Sequence, residues 1–388
     1  MELNEIIRGS EEIIGADELK NKIKKGKVLR IKHGVDPTTA QLHLGYVVNY
    51  RVMRRFQNAG HTVILLIGDF TGRIGDPTDK LDSRRGQTKE VLREKARNIV
   101  NLATRVLDKD KLEIRYNSEW WDKMSLDKFM GLAENISAVR LWERDMFEKR
   151  VKEGKPVWTH EFLYPLLQAQ DSVEIESDAT VIGSDQKFNE LLARDFQRNV
   201  KKSPQALIIM PILPGTDGEE KMSQSLNNTI GIDESPEDIY GKIMSMPDKA
   251  IITYFKLLTD IPQDEIDAMK TEMDLGVENP RDIKMNLASE IVKMLYSEDD
   301  AKKAETHFKS IFQKKEKPEE IQEYKLETET ASGSVLVDSG LVSSKSKAKR
   351  LIEQGGMKIN DTVIRNSETQ VKKGDVIQKG KRHFRKIV

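Results

Sequence analysis

The stretch Val35–Tyr46, V-D-P-T-T-A-Q-L-H-L-G-Y, decides the fold because strand, turn and helix signals meet in it. The apolar run at 28–31 before it predicts a strand. After it, apolar residues recur at helical spacing over 44–59, which predicts a helix. The continuous apolar run at 62–67 is typical of a buried parallel strand. Together these patterns predict a β-turn-α-β unit.

The turn of this unit gathers polar residues where a strand's carboxyl end meets a helix N-terminus, the natural anion site of an α/β sheet. Four residues can point there: Asp36, Thr38, His43 and Gly45. Pro, Thr and Gly also satisfy the geometry of a strand–helix turn, so the turn alone leaves a structural and a functional interpretation open.

Composition excludes several classes of protein. The 388 residues include no cysteine, which rules out disulfides, zinc–thiolate sites and cysteine nucleophiles. The six histidines lack metal-ligand spacing, so we expect no protein-bound metal. Neither a signal-peptide pattern nor a run of 18 apolar residues is present, so we expect a cytoplasmic protein without membrane association.

Charge is unevenly distributed along the chain. The 64 basic and 64 acidic residues give a net charge of zero, but residues 344–388 contain 13 basic and 4 acidic residues. That tail therefore carries +9 and the rest of the chain −9. The asymmetry predicts that the tail binds a polyanion, although a solvated face that balances the acidic body is the alternative.

Further polar groups follow the predicted strands. Asp69 and Asp76 come after the second strand in a glycine-rich segment, where capping of the turn is the alternative to a ligand role. Residues 81–160 are strongly charged and predicted to be mostly helical, and Trp120, Trp121 and Trp142 are interpreted as core or interface anchors. A strand–helix junction at 180–186 places Asp185 and Gln186 at the same sheet edge.

A helix over 162–171 places Tyr164, Gln168 and Asp171 on one face, at positions i, i+4 and i+7. Buried polar groups need partners, so these three either satisfy one another or bind a ligand. The apolar run at 207–213 predicts a further strand, before a Gly-rich turn and the K-M-S-Q-S segment.

These motifs resemble, in order and spacing, those of bacterial tyrosyl-tRNA synthetases, which are class I aminoacyl-tRNA synthetases. The matching segments are Asp36-Pro-Thr38 with His43-Leu-Gly45, Gly75-Asp-Pro77, the Tyr164/Gln168/Asp171 face, Gly183-Ser-Asp-Gln186 and Lys221-Met-Ser-Gln-Ser225. Residues 279–285 are similar to the family's anticodon-binding helices, and the tail resembles an RNA-binding domain shared with a small-subunit ribosomal protein. The resemblance covers essentially the whole chain.

The resemblance implies an α/β fold with a Rossmann-like parallel-sheet catalytic domain and helical insertion at 1–230. It also implies a helical anticodon-binding domain at 231–313 and a small C-terminal α+β RNA-binding domain at 334–388. The charged segment 314–333 lacks a packing pattern and is predicted to be a linker.

The implied activity is that of a tyrosine–tRNA ligase, which converts L-tyrosine and ATP to tyrosyl-adenylate and charges tRNA(Tyr). ATP would enter as its Mg²⁺ complex, and a homodimer is expected. The implied catalytic residues are His43, Lys221 and Thr38. Implied ATP contacts are Asp36, Thr38, His43, Gly45, Gly183, Asp185, Lys221, Ser223 and Gln224. Implied amino-acid contacts are Lys32, Gly34, Asp76, Tyr164, Gln168, Asp171 and Gln186. Implied tRNA contacts are Lys345, Lys347, Lys349, Arg350, Lys381 and Arg382.

Four positions depart from the family pattern: Tyr46, Gln170, Ile182 and Gln224. Tyr46 and Gln224 leave fewer cations or donors for phosphate, Ile182 adds bulk beside the substrate, and Gln170 is expected to alter the pocket wall. Three interpretations stay open: a tyrosine–tRNA ligase, a paralogue that activates a different or modified amino acid, and a catalytically impaired tRNA-binding derivative.

Overall fold

The computed structural model describes residues 2–37, 41–75, 88–143, 145–313, 321–326, 330–342, 344–380 and 383–388. Four of the implied contact residues lie outside these ranges: Thr38, Asp76, Lys381 and Arg382. The chain forms two compact units, Met1–Ala301 and Lys302–Val388.

A six-stranded sheet forms the centre of the first unit. Its strands are β1 (Glu12–Ile14), β2 (Arg30–Val35), β3 (Thr62–Ile67), β4 (Leu112–Tyr116), β5 (Ala179–Gly183) and β6 (Ala206–Met210). Their order is β1-β6-β5-β2-β3-β4, with β1 antiparallel to β6 and the other pairs parallel. β3 and β6 are almost entirely buried, which explains their continuous apolar sequences. The predicted Rossmann-like parallel sheet is confirmed.

Helices connect the strands and cover the sheet. They are α1 (Leu3–Ile6), α2 (Ala16–Lys24), α3 (Leu44–Asn58), α4 (Thr71–Ile74), α5 (Lys89–Ala103), α6 (Ser118–Trp121), α7 (Leu126–Ala133), α8 (Ala138–Trp142), α9 (Asp145–Lys152), α10 (Thr159–Glu174) and α11 (Lys187–Asn199). The β2–α3–β3 order confirms the predicted β-turn-α-β unit. Gly68 directly follows β3 and lies against the β2–α3 turn. A Cβ on Gly68 would collide with the Asp36 carboxylate of that turn, so the position requires glycine.

Two edge strands were not predicted. β1 lies in the N-terminal segment before β2, and β4 lies within the segment 81–160 that was predicted to be mostly helical. Every residue of β4 is half-buried, so Glu113 and Arg115 can alternate with apolar residues there. Because a charged edge strand lacks the apolar run of a central strand, its sequence did not reveal it.

The strand order changes direction between β2 and β5. β3 and β4 continue the sheet on one side of β2, whereas β5 and β6 continue it on the other. In parallel α/β sheets, ligands bind at such a switch point, beyond the carboxyl ends of the strands. The polar turns after β2 and β5 meet there.

The rest of the first unit is helical. It contains α12 (Pro236–Ser245), α13 (Ile251–Leu258), α14 (Gln263–Asp274) and α15 (Pro280–Leu295). α12 and α15 each begin with proline after a capping side chain, Ser235 and Asn279 respectively. Up to Ala301 this part belongs to the same compact unit as the sheet, and the division into domains at 230/231 stays a prediction.

The boundary between the units falls within α16 (Glu298–Phe308). The second unit contains α17 (Ser332–Asp338), α18 (Lys345–Glu353) and short strands: β7 (Glu323–Tyr324), β8 (Thr330–Ala331), β9 (Met357–Ile359), β10 (Thr362–Ile364), β11 (Gln370–Val371), β12 (Val376–Lys379) and β13 (His383–Ile387). One sheet has the order β10-β9-β12-β13-β7, and β8 pairs with β11. This is the predicted small α+β fold.

The predicted linker is partly wrong. Three parts of the segment 314–333 belong to the folded second unit. β7 pairs with β13, β8 pairs with β11, and Leu326 is buried in the core of this unit. Two-residue strands are too short to show an alternating pattern, so the sequence did not reveal them. The small module therefore begins before residue 334.

Candidate active site

A cavity of about 250 Å³ opens at the carboxyl ends of β2 and β5. Twelve residues predicted to contact ATP or the amino acid line it: Lys32, Gly34, Asp36, His43, Gly45, Tyr164, Gln168, Asp171, Gly183, Asp185, Gln186 and Lys221. The structure thus brings together side chains from five separate sequence segments. Ser223 and Gln224 were also predicted here but do not contribute to the cavity wall.

His43 caps helix α3 and faces the cavity. Its Nδ1 accepts a hydrogen bond from the backbone N–H of Gly45 at 3.2 Å, so we assign the ring proton to Nε2. Burial, together with the Lys221 cation, lowers the pKa of His43 to about 4. The imidazole is therefore neutral at physiological pH and offers one N–H beside the positive end of the helix dipole.

Lys221 and Asp185 meet across the cavity. The lysine ammonium donates a hydrogen bond to Asp185 and forms an ion pair with it. The loop that carries Lys221 is held by Asn228, which accepts from the Ser223 N–H at 2.8 Å and donates to the Lys221 carbonyl at 3.1 Å. A cation and a carboxylate acceptor are thereby positioned next to His43.

Tyr164 and Thr71 orient Asp36 at the base of the turn. The Tyr164 hydroxyl donates to Asp36 Oδ2 at 2.9 Å, and the Thr71 hydroxyl donates to Asp36 Oδ1 at 2.7 Å. Asp69 lies outside this group, since it is fully buried and accepts from the Ser118 N–H and hydroxyl at 2.9 and 2.7 Å. Asp69 thus holds the start of α6, a structural role, whereas the alternative named from the sequence was the capping of its own turn.

A buried ion pair lies deeper in the cavity. Lys32 donates to the Ser172 hydroxyl at 2.6 Å and to Glu190 at 3.0 Å, and Gln168 donates to Glu190 at 2.7 Å. Such a pair is tolerated in the interior because every partner adds hydrogen bonds. Sequence reasoning missed Glu190, whose charge inside an amphipathic helix was the only available signal.

Asp171 is held by three donors from one segment. Trp120 and Trp121 each donate an indole N–H to Oδ1 at 2.8 Å, and Asn117 donates to Oδ2 at 3.1 Å. Burial raises the pKa of Asp171 to about 6, against the opposing effect of these donors and Lys32. Since a carboxylate oxygen accepts two hydrogen bonds, Oδ2 can accept one more from the cavity.

The four departures occupy different environments. Tyr46 and Ile182 line the cavity, and the Tyr46 ring centroid lies 4.8 Å from that of His43. Gln224 donates to the Gln41 carbonyl at 3.4 Å, outside the wall. The expectation that Gln170 alters the wall is wrong, because Gln170 donates to Glu174 at 2.8 Å instead. Neighbouring residues in a helix point about 100° apart, so the Gln170 side chain points away from that of Asp171.

Within the described ranges, no group of three or more histidine, aspartate or glutamate side chains is arranged to hold a metal ion. In the same ranges, none of the helices combines the length and apolar character that crossing a membrane requires.

Residues 24–313 match the family of class I tRNA synthetases (W and Y), and residues 334–377 match the S4 domain. Solved structures with similar folds include tyrosyl-tRNA synthetases from Archaeoglobus fulgidus and from Aspergillus nidulans mitochondria, the latter C-terminally truncated. The first has a TM-score of 0.63 at 23% identity and covers 78% of this chain and 98% of its own. The second has a TM-score of 0.65 at 22% identity and covers 80% and 93% respectively. Fold, cavity and matches define a class I aminoacyl-tRNA synthetase with a C-terminal S4 domain.

Proteins of similar sequence identify the family within this class. A tyrosine–tRNA ligase of Thermotoga maritima is 45% identical over 382 residues, which cover 98% of this chain and 95% of that protein. Another, from Carboxydothermus hydrogenoformans, is 44% identical over 400 residues, covering 100% and 97%. The chain belongs to the tyrosyl-tRNA synthetase family.

Proposed function

We propose that the protein is a tyrosine–tRNA ligase that activates L-tyrosine with ATP and transfers it to tRNA(Tyr). The observation that carries this proposal is Asp171, a buried carboxylate fixed by three donors, with one acceptor position left toward the cavity. A tyrosine phenol supplies the matching donor.

The substrate's hydroxyl decides specificity in such a site. Phenylalanine would leave the Asp171 oxygen buried without its partner, and an unpaired buried acceptor disfavours the complex. Tyrosyl-tRNA synthetases are themselves the standard example of this rule. Toward the other end of the amino acid, we assign Tyr164, Gln168 and Gln186 to its ammonium and carboxylate groups, together with Asp76, which the structure does not describe.

The first reaction joins a tyrosine carboxylate oxygen to the α-phosphorus of ATP. The bond to the bridging oxygen breaks, and pyrophosphate leaves with the electron pair. ATP brings its own Mg²⁺, which neutralises part of the phosphate charge. Catalysis then consists of positioning substrates and stabilising redistributed charge. The neutral His43 donates its N–H to a phosphate oxygen, Lys221 binds the departing pyrophosphate, and Asp185 accepts from the ribose hydroxyls.

ATP–pyrophosphate exchange tests this proposal. We expect exchange that depends on L-tyrosine. With phenylalanine, kcat/KM should fall on the order of 10⁴-fold or more, the magnitude of the general rule for which this family is the standard example, because the buried acceptor is left unpaired. A paralogue that activates another amino acid is the second candidate, favoured by the bulky Ile182 in the cavity wall. Exchange with a different amino acid alone would establish that candidate, and no exchange at all would refute both.

The departures can be tested in the same assay. Gln224→Lys restores the cation of the family pattern to the loop, and Tyr46→His restores a compact donor near the phosphates. Tyrosine activation should be maintained or raised at least by Gln224→Lys. A large loss in both variants would favour the paralogue.

Acidification should weaken tyrosine recognition. Burial raises the pKa of Asp171 to about 6, and only its carboxylate form accepts the phenol hydrogen bond with full strength. The value of kcat/KM for tyrosine should therefore fall with decreasing pH, by about tenfold per unit below about 6. His43 has a pKa of about 4 and stays neutral across this range. Exchange rates in the wild type and in Asp171→Asn, between about pH 5 and 8, provide the test. A flat wild-type profile would contradict the role of Asp171.

We also propose a homodimer. The segment from α7 to the start of α10 exposes six large apolar side chains: Leu126, Met130, Val139, Trp142, Val151 and Trp158. A contiguous exposed apolar patch marks an association surface, and we assign that role to this segment. Val139→Asp should shift the sedimentation coefficient toward that of a monomer. Leu275→Asp, at an equally exposed position elsewhere, should not. A monomeric wild type would refute the proposal.

A further inference from the structure

A second polar cavity lies along the other half of α3. It has a volume of about 350 Å³ and shares no lining residue with the active-site cavity. Its wall consists of Glu5, Arg51, Arg54, Arg55, Asn58, Val106, Asp260 and Met294. Arg51 and Arg55 are one turn apart on the helix, so their guanidinium groups can act on the same small ligand.

Arg51 is the central residue of this cavity. Its side chain is 8% exposed, and it forms an ion pair with Asp260 and a weak 3.1 Å contact to the Met294 sulfur. Its buried Nε has no hydrogen-bond partner among the described residues. Because a buried donor without an acceptor is costly, this atom points to a missing acceptor.

The cationic charge here is only partly compensated. Asp260 is shared between Arg51 and Arg55, but its carboxylate is 79% exposed, so solvent screens the attraction. Burial, together with the neighbouring Arg55 and Arg8 cations, lowers the pKa of Arg51 to about 10, against the opposing attraction of Asp260 and Glu290. Burial likewise lowers the pKa of Arg55.

Two of the arginines already have structural roles. Arg8 donates to the Thr259 and Ile261 carbonyls, and Arg55 donates to the Arg8 carbonyl at 3.0 Å, which ties the N-terminal segment to α3. Arg54 has no such tie in the described ranges, since its ion pair with Asp108 spans 3.9 Å. Arg54 and the unpartnered Nε of Arg51 therefore supply donors that the described contacts do not use.

We infer that this arginine cavity binds a phosphate group. Guanidinium groups present planar pairs of N–H donors that match phosphate oxygens, and a dianion would supply the charge that Asp260 supplies only in part. The phosphate can be inorganic phosphate or the phosphate of a mononucleotide. The inference does not rest on the proposed tyrosine activity.

Calorimetric titration with inorganic phosphate, at constant ionic strength maintained with potassium chloride, tests the inference. Arg54→Gln should weaken binding about tenfold and Arg51→Gln at least as much, as expected for the loss of a charge-assisted hydrogen bond. Asp260→Asn should strengthen binding about fivefold, because it removes a competing carboxylate. The control Lys256→Gln removes an exposed cation outside the cavity and should change nothing.

Two further arms make the result decisive. The titrations should be repeated in a Lys221→Ala background, because this substitution weakens phosphate binding in the active-site cavity. The effects of Arg54→Gln and Asp260→Asn should persist in that background. Uridine monophosphate binding more tightly than phosphate, with the same dependence on Arg54, would identify a mononucleotide ligand, and equal or weaker binding would identify free phosphate. If Arg51→Gln does not fold, Arg54→Gln and Asp260→Asn still decide. Phosphate binding that neither variant changes would overturn the inference.

Discussion

Lys221→Ala lowers the rate of tyrosyl-adenylate formation by on the order of 10²-fold or more, whereas its effect on ATP affinity is much smaller. The reason is that negative charge develops on the leaving group in the transition state. In the transition state, electron density moves onto the departing pyrophosphate, so a cation there stabilises the transition state more than bound ATP. Lys221 lines the cavity beside Asp185, and we propose that its ammonium binds the departing pyrophosphate. Single-turnover kinetics with saturating ATP separates the rate from the affinity.

Lys249→Ala is a matched control for this substitution. Lys249 is 50% exposed, close to the 52% of Lys221, and it is also paired with a carboxylate, Glu219. It does not line the cavity, so its loss should leave activation unchanged. His43→Ala should resemble Lys221→Ala, because it removes the neutral N–H donor beside the phosphates. A wild-type rate in either variant would remove that residue from the mechanism.

The sequence revealed what local periodicity encodes. The helical spacing of Tyr164, Gln168 and Asp171 predicted a shared face, and all three line the cavity. The apolar run at 62–67 predicted a buried strand, and β3 has those bounds. In both cases neighbouring residues carry the signal, since a helix or a central strand orders its own side chains.

The sequence could not reveal contacts between distant segments. Trp120 and Trp121 were interpreted as core or interface anchors, and they are buried, but their indole groups also hold Asp171, about fifty residues later in the chain. Glu190 meets Lys32 across an even longer separation. Nothing in local spacing announces such a pair, because the sheet order decides which turns meet.

Truncation before the small module should separate the two half-reactions. The sheet of this module includes β7 (Glu323–Tyr324), so the deletion should remove 321–388 rather than 334–388. Met1–Ala301 is a compact unit that contains the whole active-site cavity. Tyrosine-dependent pyrophosphate exchange needs no RNA, and we expect it to stay at the wild-type level.

Charging of tRNA should collapse in the same truncated protein. Helix α18 buries Ala348 and Ile352 and exposes Lys345, Lys347, Lys349 and Arg350. We propose that these cations, with others of the +9 tail, neutralise RNA phosphates. Loss of several phosphate contacts should lower tRNA affinity by on the order of 10³-fold, and charging at low tRNA concentration should fall with it.

The salt dependence of tRNA binding distinguishes this role from that of a passive charged face. If α18 binds phosphates, the logarithm of affinity falls linearly with the logarithm of salt concentration, and each lost contact flattens the slope by about 0.9 for a duplex. Replacing Lys345, Lys347, Lys349 and Arg350 by glutamine should therefore flatten the slope as truncation does. The buried residues Ala348 and Ile352 are unchanged in this variant, so the module should stay folded. A variant with Lys347→Arg and Lys349→Arg keeps the charge and should keep the slope. An unchanged slope after truncation would show that the tail only balances the acidic body.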